Sequence, residues 1–540
     1  MTDALRSLEQ ALDGPMDRRR FLQFTGALAG AAAFCQVRGD LAHAAPRLSD
    51  YPFTLGVASG DPAPNRAVLW TRLAPKPLEP GGGMPHRWAP VTWRVAKDPG
   101  MRRVVRAGVT LAVPDLAHSV HVEVGGLEPR REYYFQFRYR DELSPVGRTI
   151  TAPSRWDSVN SLKFAFASCQ RWDEGYYSAY RRMAEEDLAF VVHLGDYFYE
   201  YGIDANGGFR NVPVPEQYRP ECVTLERYRL QHGLYKSDPD LQRAHARFPW
   251  VITWDDHEVQ NDYAGLAPVG GEPNPAFTAR RAAAYQAFYE HIPVRSAARP
   301  RNGSALLYRR MTWGDLAEFS VVDERQYRDD QPCGDGEFPR CEASLDPDVT
   351  MLGFEQEAWL RDGLEDSHAR WNVIAQQVMM GQLVHDYDGD GDPGDPPIYW
   401  HDAWDGYPVA RQRIIDHLAR ARIRNPMLIT GDWHSTFVND IKADFSDPGS
   451  ATVATEFVGT SISSNGDIPV YGPYYGPMIR ANPHIKFFDG DRRGYVRCNV
   501  DRRRWRTDLR MVSTVSRSDA PVSTFASFEV ESGRPGAVRV

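Results

Sequence analysis

Phe190-Val191-Val192-His193-Leu194-Gly195-Asp196-Tyr197-Phe198-Tyr199-Glu200 passes from an unbroken apolar run, through a glycine, into a cluster of oxygen-bearing side chains. A short apolar run set among helical stretches reads as a strand of a parallel sheet, buried on both faces. The arrangement recurs three times. Leu162 to Ala167 leads into Ser168-Cys169-Gln170, Trp250 to Thr253 into Trp254-Asp255-Asp256-His257-Glu258, and Met427 to Thr430 into Gly431-Asp432-Trp433-His434. In open α/β sheets, ligands bind beyond the carboxyl ends of the strands. The four clusters are therefore expected to converge on one sheet edge. A thiol, a phenol, imidazoles and carboxylates meeting there imply a multinuclear metal hydrolase.

Around these runs lie segments of helical spacing: Tyr176 to Asp187, Leu225 to Gln231, Ala276 to Tyr289, Phe354 to Glu365 and Val409 to Ala421. Together they predict an α/β domain over 162–510, followed by a tail over 511–540. Residues 51–151 read differently. Short β runs such as Val91 to Val95 and Val120 to Val124 alternate with Gly and Pro turns, and Leu127-x-Pro129 precedes Tyr133, as at the tyrosine corner of fibronectin-like sandwiches. A small all-β fibronectin- or Ig-like domain is predicted there.

The formal charge of −9 and the lack of a basic tract argue against a nucleic-acid partner. Arg18-Arg19-Arg20-Phe21-Leu22-Gln23 opens a modest apolar segment, and Ala42-His43-Ala44 offers a small-x-small cleavage site. Residues 1–44 thus read as an export signal whose paired arginines address the Tat machinery, delivering a folded protein to the periplasm or beyond. Phe34 before Cys35 does not suit a lipid anchor, and no later stretch reaches the roughly 20 apolar residues of a membrane span. Past the signal five cysteines remain, an odd number for an oxidising compartment. Cys333 and Cys341 bracket a loop and can pair, and so can Cys222 and Cys498. Cys169 is then left over.

The donor set narrows the metal. A carboxylate such as Asp196 can bridge two ions. A phenolate at neutral pH needs a strongly polarising ion, since tyrosine titrates near ~10 in water. Thiolate, phenolate, imidazole and carboxylate together suit ferric iron, whereas Asp256 and Asp432 suit a hard divalent ion such as calcium. His434 follows Asp432 by two residues, so both would share one face of an extended strand end.

These motifs, with Gly56-Val57-Ala58-Ser59-Gly60-Asp61-Pro62, Leu69-Trp70-Thr71-Arg72, Trp404-Asp405-Gly406-Tyr407-Pro408 and Glu456-Phe457-Val458-Gly459-Thr460-Ser461, closely resemble those of the PhoD-type alkaline phosphatases. That family lies among the calcineurin-like and purple-acid-phosphatase-like metallophosphoesterases. The resemblance runs in order from about Tyr51 to Arg510. It implies a metallophosphoesterase β-sandwich flanked by helices, acting on phosphate mono- and diesters. It also implies Fe3+ held by Cys169, Asp196, Tyr199 and His434, with Asp196 bridging to Ca2+ on Asp256 and Asp432. A second Ca2+ is implied, for which Asn261 is the candidate ligand, and His257 falls beside the leaving group. Where the wider superfamily places a histidine, this chain has Gln376-Gln377, so that ligand is missing or replaced by an amide oxygen.

Some residues carry humbler expectations. His193 reads as a satisfied core histidine, Asp255 as a support, and Arg325 and Tyr327 as lining for a phosphate pocket. Asp386-x-Asp388-x-Asp390-Gly391 imitates the start of an EF-hand, but Pro397 takes the place of the closing Glu, so a solvated loop is expected. Two rivals accompany the phosphatase reading: a phospholipase D-like diesterase on the same scaffold, and a surface- or polymer-binding protein whose metal is only structural.

Overall fold

The computed structural model describes Leu48 and residues 50–540. The proposed signal, 1–44, lies outside them. Two large sheets face each other. The ten-stranded sheet has the parallel strands Ser161–Ala167, Phe190–His193, Pro249–Ile252 and Val57–Ala63 side by side at its centre. The seven-stranded sheet is built likewise on Ala317–Val321, Trp371–Gln376, Pro426–Thr430 and Thr452–Val458.

Period-two alternation explains the layers. Phe164, Phe166, Phe190, Val192 and Val251 point one way and meet Phe319, Val373, Met427 and Ile429 of the other sheet. Ala165, Ala167, Val191, Trp250 and Ile252 point the opposite way, onto a core shared with the helices Leu225–Lys236, Pro239–Arg247 and Pro275–His291. Ile374 and Leu428 face the helix side of the second sheet, against Gly353–Glu365 and Pro408–Arg420. The result is a β-sandwich with helices outside both sheets. The first helical run is shorter than its spacing predicts, Ser178–Met183, and the helix Pro239–Arg247 is capped by Asp238, which accepts from Asp240 N and Leu241 N.

Three expectations change. The metal-ligand clusters end strands of two sheets rather than one, since Pro426–Thr430 belongs to the second sheet. The N-terminal β region is not a separate sandwich. Its strands Val57–Ala63, Arg66–Arg72 and Ser119–Gly125 extend the large sheet, and its other strands form a five-stranded sheet closing over them around Val91, Val122, Tyr133 and Phe135. Tyr133 does make the corner, its hydroxyl accepting from Glu128 N at 2.9 Å. Residues 511–540 are no tail, because Val522–Glu531 and Arg534–Arg539 form the far edge of the large sheet. Cys333 and Cys341 are disulfide-bonded. Cys222 and Cys498 stay apart, one in the helix-side core and the other between the sheets.

Candidate metal centre

Beyond the ends of these parallel strands the backbone turns sharply. Cys169, Asp196, Asp432 and His434 all take positive φ, at 58°, 55°, 62° and 49°. Such values are uncommon for residues with a Cβ and persist only where the surroundings impose them. Gly195, at φ 107°, makes the turn before Asp196, and a Cβ there would lie 2.3 Å from Asp255 Cβ. Glu258 ties the loops together. Its carboxylate accepts from Asp196 N (3.1 Å), Tyr197 N (2.6 Å) and Asp255 N (2.8 Å). Burial, with the Asp196 charge, raises Glu258 to about 8.

Two donor groups share Asp196. In one, ligand atoms of Cys169, Asp196 and His434 lie within 4.8 Å of one another. The Tyr199 hydroxyl sits among them, 2.8 Å from Asp196 Oδ2 and 2.8 Å from His434 Nε2. Burial, reinforced by Asp196, pushes both the Cys169 thiol and the Tyr199 phenol well above their ordinary ranges. In the other, Asp196, Asp256 and His257 converge, and Asp256 also meets Asp255 and Asp432. Asp432 and His434 go to different groups, as their chemistry suggests. They do so from left-handed turns, not from one face of a strand.

A third group was not legible in the sequence: Asp256 with Asp262 and Asp402. Asp262 rises to about 10 through burial and the charges of Asp402 and Asp256. Asn261 Nδ2 donates to Asp262 at 2.5 Å, a bond that leaves its Oδ1 unengaged beside this group. Asp402 ends no apolar run and stands in no motif spacing, which left no signal to find it.

Arg325 lies inside this assembly and does not line an open pocket. Fully buried, it pairs with Asp255, with Asp402 at 2.6 Å, with Asp432 at 3.3 Å and with Asp256 at 3.6 Å. Against burial, Arg325 and His257 hold Asp256 well below the carboxylate range, whereas burial leaves Asp255 and Asp432 well above it. Even with Arg328 on Asp402, carboxylates outnumber guanidiniums. That crowding is what drives Asp255 and Asp432 toward their protonated forms, and bound cations would let them ionise. Asp196 Oδ1 is buried without a hydrogen-bond partner, as an oxygen reserved for a metal would be.

His257 Nδ1 contacts Glu200 Oε2 at 2.7 Å, and its ring lies 4.1 Å from Tyr199 and 5.2 Å from Tyr201. Burial works against its charge, but Glu200, Asp196 and Asp256 outweigh burial and raise it well above the ordinary imidazole value. Tyr327 packs edge-on against Tyr308, outside these groups. Gln377 Oε1 accepts from Glu324 N at 2.8 Å and Gln376 Nε2 donates to Glu456 at 3.0 Å, while Gln376 Oε1 is buried without a hydrogen-bond partner. His193 is buried as expected, yet both ring nitrogens lack partners and burial lowers it to about 3.

Comparison with known proteins follows the same lines. The family model "PhoD-like phosphatase" matches residues 164–509, and "PhoD-like phosphatase, N-terminal domain" matches 40–153. Alkaline phosphatase D of Bacillus subtilis (strain 168) is 45% identical over 540 residues, covering 98% of this chain and 90% of the relative. A solved structure of PhoD superposes with a TM-score of 0.86 at 47% identity, over 92% of this chain and 93% of that one.

Proposed function

The chain belongs to the PhoD-like phosphatase family, and on that premise we propose that it is an exported, metal-dependent phosphoric ester hydrolase acting on phosphate mono- and diesters. The family favours ester hydrolysis over a binding protein with a structural metal. The observation that carries the metal reading is Asp196: one carboxylate oxygen faces Tyr199, the other is buried and unpartnered, and donor groups lie on both sides.

In this reading Cys169, Asp196, Tyr199 and His434 hold Fe3+, and Asp196, Asp256 and Asp432 hold Ca2+. A second Ca2+ is held by Asp256 with Asp262 and Asp402. When bound, the ions neutralise phosphate oxygens and acidify an attacking water. The chain supplies the rest. Glu258 fixes the loops that present Asp196 and Asp255. Arg325 balances the carboxylates of Asp255, Asp256, Asp402 and Asp432. His257, oriented through Nδ1 by Glu200, offers Nε2 to the departing oxygen as a general acid. Residues 1–44 direct export through the Tat machinery to the periplasm or the medium. Among the described residues, no helix is long and apolar enough to cross a membrane.

The test is metal analysis of natively exported protein, with turnover of a monoester, a diester and a phospholipid. Iron and calcium with ester turnover, both lost in Cys169→Ala and Asp256→Ala, are expected. A protein holding only zinc overturns the metal assignment.

A further inference from the structure

The segment Thr460-Ser461-Ile462-Ser463-Ser464-Asn465 follows the strand Thr452–Val458 and leads away from the motif Glu456 to Ser461, for which sequence alone suggested no task. It lies across one half of the site only. Ser464 is fully buried, and its Oγ lies 2.8 Å from the Tyr199 hydroxyl and 2.8 Å from Cys169 O, while accepting from Arg171 N at 3.1 Å. Asn465 Oδ1 contacts His434 Nδ1, and Asn465 N is anchored on Glu174 Oε2 at 2.5 Å. Thr460 Oγ1 reaches His434 O at 3.2 Å. The same six residues therefore touch Cys169, Tyr199 and His434, and none of these contacts goes to Asp256, Asp402 or Asp432.

We propose that Ser464 and Asn465 are positioning residues of the iron half of the site, Ser464 as hydrogen-bond donor to the Tyr199 oxygen and Asn465 as the acceptor that sets the His434 tautomer. The inference rests on the iron reading above. The proton count supports it. An amide oxygen can only accept, so His434 carries its proton on Nδ1, and Nε2 keeps its lone pair toward Tyr199 and Asp196. Ser464 has one hydroxyl proton and two acceptors in reach. Cys169 O also receives Ser463 N at 3.4 Å and Ser464 N at 3.3 Å, so it stays satisfied without the hydroxyl. The Tyr199 hydroxyl has Asp196 Oδ2 and His434 Nε2, both at 2.8 Å, to take its own proton, so toward Ser464 its oxygen can only accept. The Ser464 proton then belongs to it. Groups of this kind, one bond removed from a ligand, set ligand orientation and basicity.

The test uses full-length exported protein and the variants Ser464→Ala, Asn465→Ala and Asn465→Asp, with iron content before and after chelator dialysis, the visible absorption maximum, kcat and KM. Removing a donor from a phenolate raises its electron energy, so Ser464→Ala should keep iron while its absorption moves to longer wavelength. Asn465→Ala should lose iron about 10–100-fold more readily, and Asn465→Asp, which keeps an acceptor, should recover most of it. Should Ser464→Ala fail to fold, the Asn465 pair decides the question. A wild type with iron and a visible band, beside variants whose band and retention match it, overturns the proposal. A wild type with neither iron nor band overturns the iron reading itself.

Discussion

Asp196 and Tyr197 are neighbours in sequence that face opposite electrostatic worlds. Asp196 points toward Asp256, which in turn meets Asp432 and the buried Arg325. The Tyr197 hydroxyl points among bases, 2.6 Å from His245 Nε2 and 3.2 Å from Lys236 Nζ. Behind them His232 stacks on His291 at 4.7 Å, and His291 meets Arg72 at 2.7 Å. Both regions are buried, but burial acts differently on them. The bases shed their protons: Lys236 falls to about 7 through burial, and His232 and His245 fall well below their usual range. The acidic side instead keeps part of its charge through Arg325, and so stays incomplete without cations. Burial draws charge out of one region, all but Arg72, and leaves structure; the other has retained charge and become a site.

The sharpest way to break this contrast is Asp196→Ala. It should abolish metal binding and reduce turnover by more than the roughly 100-fold typical of outer-shell changes, as read by metal analysis and ester hydrolysis. His257→Gln should leave metal content intact and lower kcat by about 10²-fold on esters with poor leaving groups, and less on activated ones. Asp402→Ala strands Arg328 and unbalances Arg325. Denaturant unfolding should show a loss of about 3–5 kcal/mol, the size expected when a buried pair loses one partner.

Lys236→Met tests the basic side. Between about 7, its folded value, and about 10.4 in the unfolded chain, only the unfolded chain holds the proton, so this group makes stability rise with pH across that window. Below about 7 both states are protonated, and its influence is flat. Unfolding measured from pH 6.5 to pH 10 should lose up to about 1.4 kcal/mol per pH unit of slope in the variant. An unchanged slope removes Lys236 from the account.

How much was legible follows from the same contrast. The strand ends announce themselves because an apolar run stops at Gly195 or Gly431, and a glycine before an acid is a local signal. Asp196, Tyr199, Asp432 and His434 follow such a glycine, whereas Cys169, Asp256 and His257 stand out only as polar clusters at the ends of apolar runs. Asp402 and Asn465 sit in loops whose placement depends on partners far along the chain, and no local pattern marks them. The division of the clusters between the two sheets was hidden for a related reason, since a parallel run reads the same in either sheet. The strands of 511–540 were missed because they pair with neighbours on an outer edge and alternate only weakly.

The strand that leads into Cys169, Ser161–Ala167, has Gly494–Asp501 as its antiparallel neighbour. Residue 169 therefore receives its flanking strand only after more than three hundred further residues have been made. A chain still on the ribosome can carry every ligand residue through His434 and yet have no finished place for Cys169. Shortening the protein from its C-terminal end, where no ligand lies, should leave it without a metal centre. Assembly of the site is then a record that synthesis has passed residue 501, and long-range pairing of this kind makes that step slow.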